Sequence, residues 1–360
     1  MAKISIPIGP QHPLLKEPLS MMVDISGEQV LGGSLRLGYV HRGIERIAQT
    51  RSYVKNVHLI ERICGICSHV HTTAFCPAVE ALLGIEAPPR AQYIRALMCE
   101  LERVHSHLLW LGILAKHVGL ETIFMHTWHD RELALDIMEE VSGGRVSHAA
   151  NQIGGVRFDL DEEHDAMIRS TIHKLHTQVE GLLDVIESEP ALQARTQGVA
   201  PIPASLIRQY CVVGPVARAS GVDVDMRRDD PLPPYDQFDI QVITHPDGDA
   251  WARTFVRAEE TRVSLNLCEK ILAEMPSGEV SVRAPRRVPE GEVIIRAEAP
   301  RGELFYYLRS DGSDKPARLK VRTPTLAALS MLPEQLSGIQ VADIPVVLAG
   351  VDLCVACADR

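Results

Sequence analysis

The chain has 360 residues, 46% apolar and 23% charged, which is ordinary for a globular protein long enough to bury a substantial core. Lys and Arg total 37 against 47 Asp and Glu, and the net charge of −10 excludes a nucleic-acid binder working through a basic face. No run of about 18 apolar residues occurs, so no membrane-spanning helix is expected, and residues 1–9 lack the basic start and apolar core of an export signal.

Residues 1–45 read as β-rich. The apolar runs 21–25 and 30–37, separated by Gly27 and Glu28, predict a hairpin. Pro7, Pro10, Pro13 and Pro18 break residues 8–18 into an irregular loop. Residues 46–285 read as a helical core. Ile94, Leu97, Leu101, Val104, Leu108, Leu111 and Ala115 form a helical stripe across residues 91–117. Residues 132–141, 162–186 and 251–275 follow the same rule, with acidic residues opening the second of these. Such helices pack as a bundle. Within the core, residues 214–236 are rich in Pro, Gly, Asp and Arg and read as a structured loop. From residue 286 the chain returns to β pattern at 292–298, 304–309 and 319–322, then ends in the apolar run 344–351 and a short tail. The expected fold class is mainly α with small β elements (α+β). One large domain spans residues 1–360, with a β-rich start (1–45), a helical core (46–285) and a β-rich end (286–360).

Four of the eight cysteines form two C-x-x-C pairs, Cys64/Cys67 and Cys354/Cys357. In a large chain with no export signal the thiols should be reduced, so this spacing reads as metal binding or redox chemistry. Together, four thiolates make a soft site suited to Zn, Fe or Ni and not to Mg or Ca. A structural zinc site is the plain reading of such a set. Nearly the whole chain separates the two pairs, however, far more than a zinc ribbon closes. Arg62, His69, His71, Asp352, Asp359 and Arg360 crowd them with titratable groups. A thioredoxin-type dithiol is a weaker rival, because no βαβ pattern surrounds Cys64. Cys76, Cys99, Cys211 and Cys268 fit no motif and read as ordinary thiols.

Arg62-Ile63-Cys64-Gly65-Ile66-Cys67-Ser68-His69-Val70-His71 resembles the R-x-C-G-x-C-x-x-x-H motif of the large, catalytic subunit of [NiFe] hydrogenases. Asp352-Leu353-Cys354-Val355-Ala356-Cys357-Ala358-Asp359-Arg360 is similar to that family's D-P-C-x-x-C-x-x-[HR], with Leu353 in place of proline. Arg42-Gly43-Ile44-Glu45 matches its R-G-x-E, and Ala299-Pro300-Arg301-Gly302 its A-P-R-G. The segments 9–13, 214–221 and 304–312 resemble the membrane-bound, energy-converting group, the Ech and CO-induced types above all. They also resemble the related quinone-site subunit of complex I. That subunit lacks the four-thiolate set, which is the feature separating the two readings.

The resemblance implies a catalytic domain performing reversible H₂ oxidation and proton reduction, with H₂ and protons as substrates. Its cofactor would be a Ni–Fe(CO)(CN)₂ centre on Cys64, Cys67, Cys354 and Cys357, with Cys67 and Cys357 bridging the metals. His71 would donate a hydrogen bond to a bridging sulfur. Arg301, beside Pro300, would lie over the open metal position, with Asp352 pairing with it or lining the same cavity. Thr325 would hydrogen-bond an iron cyanide, and Glu17 would carry protons away. Glu45 matches a ligand of a further hard cation such as Mg, although Arg360 stands where the usual histidine partner falls. His12 matches a loop histidine involved in coupling. The acidic residue that many relatives place above the metals has no counterpart in residues 105–112. No iron–sulfur cluster is expected in this chain. The partners implied are a small subunit with a [4Fe–4S] cluster, a ferredoxin-like polyferredoxin subunit and integral membrane ion-translocating subunits. The location implied is the cytoplasmic side of the cell membrane, with residues 214–236 as the expected docking contact.

Overall fold

The computed structural model describes residues 3–360. Strands β1 (Ile4–Ile8), β2 (Ser20–Ser26) and β3 (Gln29–Arg36) form an antiparallel sheet. The hairpin read from sequence is β2–β3, and β1 adds a third strand along it. Two short helices, α1 (Ile44–Ala48) and α2 (Tyr53–Glu61), lead to the first cysteine pair, and α3 (Ser68–Leu83) starts directly after it. The long helices α4 (Pro89–His117) and α5 (Glu121–Ser142) follow. A tiny hairpin, β4 (Asn151–Gln152) with β5 (Gly155–Val156), precedes α6 (Glu162–Ser188). Four short helices then fill residues 190–229: α7 (Pro190–Thr196), α8 (Ala204–Tyr210), α9 (Pro215–Arg218) and α10 (Met226–Asp229). Next come α11 (Ala250–Glu274), the antiparallel meander β6 (Gly291–Ala299), β7 (Gly302–Ser310) and β8 (Pro316–Arg322), and finally α12 (Pro324–Leu336), α13 (Ile344–Val351) and α14 (Val355–Asp359).

The helix ends obey local chemistry. Pro89 opens α4 at a position whose N–H needs no partner. Asp161 and Asp249 cap α6 and α11 by accepting from the backbone N–H of His164 and Ala252. The main apolar core lies where α4 packs along α5 and α11, with α6 behind them. A second core joins α2 and α3 to the β6–β8 sheet around the cysteines, and a third joins the β1–β3 sheet to α12 and α13. Among the described residues no helix is long and apolar enough to cross a membrane.

Helix α4 is buried on nearly every side, yet it carries Arg95, Glu100, Glu102, Arg103, His105 and His107. A buried charge survives only when paired and hydrogen-bonded. Arg95 pairs with Glu80 on α3, Glu102 accepts from the backbone N–H of His69 and Val70, and the partners of Glu100, Arg103 and His107 come from residues 214–236, α11 and β6. Arg218 Nε and Nη1 lie 2.6 and 2.9 Å from Glu260 and Glu298. Arg227 reaches Asp225 at 2.7 Å and Glu100 at 2.8 Å, and the Glu100 carboxylate also accepts from the Tyr235 hydroxyl and Ser264 Oγ. Arg103 donates to the carbonyls of Glu298 and Ala299, tying the end of β6 to α4.

Two expectations change. Residues 214–236 are only in part an outer loop: Arg218, Asp225 and Arg227 are buried counter-ions of α4 and α11, while Asp223, Val224 and residues 228–230 are exposed. The last part of the β-rich end is helical, since β pattern stops at Arg322 and the second cysteine pair sits between α13 and α14.

Arg218 is the hub of this ion-pair core. Replacing it with Ala leaves Glu260 and Glu298 buried without their cation, so Arg218→Ala should lower the urea unfolding free energy by about 3–5 kcal/mol. A loss under about 1 kcal/mol would show that the cluster is not structural. Against the burial that would raise it, Arg218 holds the Glu260 carboxyl down at about 2. A folded-state pKa below the unfolded one gives stability that is complete above the ordinary carboxylate pKa. Unfolding scans should therefore show this contribution intact above about pH 4.5 and draining away toward pH 2.

Candidate metal centre

The four cysteines meet in the interior. Cys64 Sγ lies 3.5 Å from Cys354 Sγ, and Cys67 Sγ lies 3.6 Å from Cys357 Sγ, each pair joining positions 290 residues apart in the chain. All four are buried free thiols. These separations are far longer than a disulfide bond and short enough for shared ions. Backbone N–H groups of Ile66 and Cys67 both point at Cys64 Sγ, 3.2 Å away, the arrangement that stabilises a thiolate. Two triads of ligand atoms result, Cys64–Cys354–Cys357 and Cys67–His71–Cys357. Buried soft donors with N–H support and a cation alongside fit a soft transition-metal centre.

His71, on the first turn of α3, places Nε2 3.6 Å from Cys357 Sγ and Nδ1 2.7 Å from the Tyr306 hydroxyl on β7. Burial lowers the His71 pKa to about 4, so the ring is neutral. Burial also pushes the Tyr306 phenol well up, so it keeps its proton. A Tyr306 hydroxyl donating to Nδ1 leaves Nε2–H to donate to the sulfur. In the sequence Tyr306 carries no signal of this role, being one alternating aromatic residue of a strand.

Arg301 sits in the turn between β6 and β7, next to buried Pro300. Its Nε and Nη2 donate to the carbonyl and Oδ1 of Asp352, at 3.0 and 2.9 Å. Its Nη1 donates to Ser106 Oγ on α4 at 3.3 Å, so a hydroxyl meets the guanidinium from the stretch 105–112. Asp352 occupies the left-handed region (φ 55°) at the end of α13, which turns the chain back toward Cys354. Lys16 Nζ lies 3.3 Å from the same Oδ1. Against burial, Arg301 and Lys16 hold the Asp352 pKa down at about 2. Asp352 Oδ2 is buried with no hydrogen-bond partner among the described residues.

Glycine explains how the A-P-R-G turn gets so close. A Cβ on Gly302 (φ 123°) would fall 2.6 Å from Gly214 N, and one on Gly214 would fall 2.3 Å from the Arg301 carbonyl. The two backbones touch, and no side chain fits between them.

Glu17 accepts a hydrogen bond from Ala356 N, inside the second cysteine pair, at 3.0 Å. Burial first, and then Cys354, raise its pKa to about 7. Glu17 and Lys16 line a cavity of about 30 Å³ shared with His117, Leu348 and Leu353. That space admits a water molecule.

Arg42 staples the two cysteine loops. Its Nη1 donates to the Arg62 carbonyl at 2.7 Å, and its Nη2 donates to the carbonyls of Ile63 and Ala356 at 2.8 and 3.1 Å. Nearby, Asp359 Oδ2 accepts from Gly38 N and Val40 N, fixing the last residues against residues 38–40.

Three expected residues lie elsewhere or work differently. The Glu45 carboxylate is filled by Arg360 Nε at 3.0 Å and Val321 N at 3.1 Å, with Lys320 and Arg318 each at 3.5 Å. A carboxylate ringed by cations does not fit a divalent ion, which needs further oxygen ligands in place of positive charge. The Arg360 guanidinium occupies that role itself. Thr325 Oγ1 accepts from Cys354 N at 3.2 Å, and Thr323 Oγ1 donates to the Cys357 carbonyl at 3.2 Å, so both hold the cysteine loop from α12 and its cap. His12 is exposed on the loop before β2, where its ring accepts from Leu14 N.

Residues 42–116 match the family model of the nickel-dependent hydrogenases, and residues 117–288 and 281–360 match that of the respiratory-chain NADH dehydrogenase 49 Kd subunit. The chain is 37% identical to the carbon monoxide-induced hydrogenase of Rhodospirillum rubrum, covering 100% of both. It is 36% identical to one of the NADH-quinone oxidoreductase subunits of Sinorhizobium medicae, covering 99% of this chain and 96% of that one. Among solved structures it resembles a chain of the membrane-bound sulfane sulfur reductase, an archaeal respiratory membrane complex. The TM-score is 0.95 and the identity 31%, over 99% of this chain and 98% of the other.

The staple makes a local prediction. Arg42→Ala removes the three hydrogen bonds to the cysteine loops, each worth about 0.5–1.5 kcal/mol. Amide exchange over residues 354–360 should accelerate by roughly tenfold or more while the amides of α4 stay protected. Arg42→Lys should not restore protection, because an ammonium cannot span the carbonyls of both loops. Unchanged exchange in Arg42→Ala would remove the staple.

Proposed function

The chain belongs to the family that joins the respiratory-chain NADH dehydrogenase 49 Kd subunit to the nickel-dependent hydrogenases, and within it we propose that this member is a hydrogenase catalytic subunit. It would interconvert H₂ with two protons and two electrons, as a peripheral subunit on the cytoplasmic side of a membrane complex. The observation that carries this reading is the convergence of four buried thiols in two close sulfur pairs, with Arg301 held beside them. A quinone-site subunit has no use for such a donor set. The family resemblance adds ferredoxin-linked H₂ evolution coupled to ion translocation. The partners are then a [4Fe–4S] small subunit, a polyferredoxin-like subunit and membrane ion-translocating subunits. The fit to Mg fails at Glu45, and no step is assigned to a hard cation.

Cys64, Cys67, Cys354 and Cys357 would hold the nickel–iron centre. When bound, such a centre supplies the Lewis acidity and redox chemistry that split H₂ heterolytically. The chain's own residues do the rest. Asp352 grips Arg301 at two points, so the guanidinium keeps one orientation and its cationic face toward the cysteines. The His71 N–H donates to Cys357 Sγ and withdraws charge from it, and Tyr306 fixes the ring that does so. Glu17, hydrogen-bonded to Ala356 N, is a carboxyl that touches the second pair and opens onto a cavity. It accepts the proton and passes it toward the space it shares with His117. Burial of the four thiols excludes bulk water from the reaction.

Hydrogen–deuterium exchange between D₂ and H₂O, assayed on the native complex, tests both the activity and the proton route. The wild type should produce HD and H₂. Glu17→Gln keeps a carbonyl oxygen for Ala356 N but cannot carry the proton, so exchange should fall on the order of 10²-fold. The metal content of this variant should be unchanged. No exchange from a wild-type complex with a full metal complement would refute the hydrogenase reading. Full exchange in Glu17→Gln would refute the role given to Glu17 alone.

A further inference from the structure

A groove of about 580 Å³ opens on the surface between α2 and the segment 281–286. One wall is the outer face of α2, with Val54 and His58. The opposite wall is the segment 281–286, with Arg283 and Arg286, and Arg157 closes the end. Among the described residues no carboxylate lines it. In a chain of net charge −10, whose other arginines are mostly tied into ion pairs, this stands out. The side chains of Arg157, Arg283 and Arg286 are exposed and make no hydrogen bond or ion pair among the described residues.

Backbone contacts fix the start of the basic wall. Val282 N donates to the Gly154 carbonyl at 2.8 Å, and Val156 N donates to the Val280 carbonyl at 2.9 Å, so the basic wall is pinned to the β4–β5 hairpin. A Cβ on Gly154 or Gly155 would fall 2.4 or 2.2 Å from the Val282 or Val280 carbonyl, so the two strands lie in direct backbone contact. Preformed, cationic and open, the groove is built for a negatively charged occupant.

Its surroundings identify the occupant as protein. Val54 and Val282, both in its walls, are 59% and 40% exposed, an apolar surface that a small anion would not need. The rim leads to the metal centre. Arg62 Nη1 donates to the His58 carbonyl, Val146 Cγ1 stands 3.6 Å from where a Gly65 Cβ would lie, and Ser68 Oγ donates to the Val146 carbonyl. Gly65 is exposed and Ile66 half-buried, so the turn between Cys64 and Cys67 is the outward side of the thiol cluster.

We propose that this groove receives an acidic surface segment of the iron–sulfur partner, seating that partner against the Cys64–Cys67 turn. The proposal rests on the hydrogenase reading for the partner's identity, and it commits to a protein segment with several Asp or Glu residues.

The test uses the native complex carrying an affinity tag on this chain. Arg157→Glu, Arg283→Glu and Arg286→Glu are combined, and retention of the iron–sulfur subunit on the tagged chain is followed by mass spectrometry as salt is raised. The expected result is release of that subunit from the triple variant with an affinity on the order of tenfold weaker. Amide-exchange protection of α4 within the variant complex should match the wild type. The Arg→Lys triple should retain the partner. A photo-crosslinker at Val282 should label an acidic stretch of the iron–sulfur subunit. Unchanged retention and salt dependence, or a crosslink only to a membrane subunit, would overturn the proposal. Tight binding of inorganic phosphate, abolished by the reversal while the partner stays bound, would overturn it in favour of a small-anion site. A nickel-free wild-type complex that still retains the iron–sulfur subunit would sink the hydrogenase reading without touching the association result.

Discussion

The structure depends on bringing together two pairs of thiols from opposite ends of the chain. Hydrophobic packing cannot do this to within the 3.5–3.6 Å seen between sulfurs, because it is non-directional. Directional contacts do it. Arg42 holds carbonyls on both cysteine loops, Asp359 holds the backbone of residues 38–40, and Arg301 holds both the carbonyl and the carboxylate of Asp352. Each connects the N-terminal half or the β6–β7 turn to residues 352–360. Helix α13 then drives Asp352 into position from behind, its apolar face packed on α4 and α11.

Those contacts need a rigid frame, and the buried ion-pair cluster supplies it. Ion pairs of this kind are weak stabilisers, since desolvation offsets much of their attraction. They are strongly directional, however. Arg103 fixes the end of β6 and therefore Arg301, while Arg218 joins the A-P-R-G strand to α11 through Glu298 and Glu260. Gly214 and Gly302 then let the loop carrying Arg218 press against the turn carrying Arg301. One charge network thus reaches from the helical core to the guanidinium beside the thiols.

Much of this was legible in the sequence. The stripe on α4 identified a core helix, the period-2 segments identified β6, β7 and β8, and the C-x-x-C spacing identified the four thiols that converge. Arg301 and Asp352 stand together as the A-P-R-G and D-x-C motifs imply. What was illegible depends on long-range placement. Arg42 works on backbone carbonyls, which carry no residue identity, so nothing in the partners' sequence marks it. Tyr306 looks like any strand aromatic until β7 sets it against His71. Residues 214–236 have the composition of a solvent loop, but Arg218, Asp225 and Arg227 face inward because α4 and α11 bury counter-charges there. Glu45 reads as a cation ligand until Arg360 is seen to occupy it.

The central claim is that four converging thiols hold a nickel-containing centre. The most direct test is elemental analysis of nickel, per copy of this chain, in the native complex and in a Cys354→Ser variant purified the same way. Nickel is decisive because a partner's clusters contribute iron but not nickel. The account predicts close to one nickel per chain in the wild type and essentially none in the variant. A fully assembled, catalytically active wild-type complex with no nickel would contradict it, and zinc found in its place would make the thiol cluster a structural site.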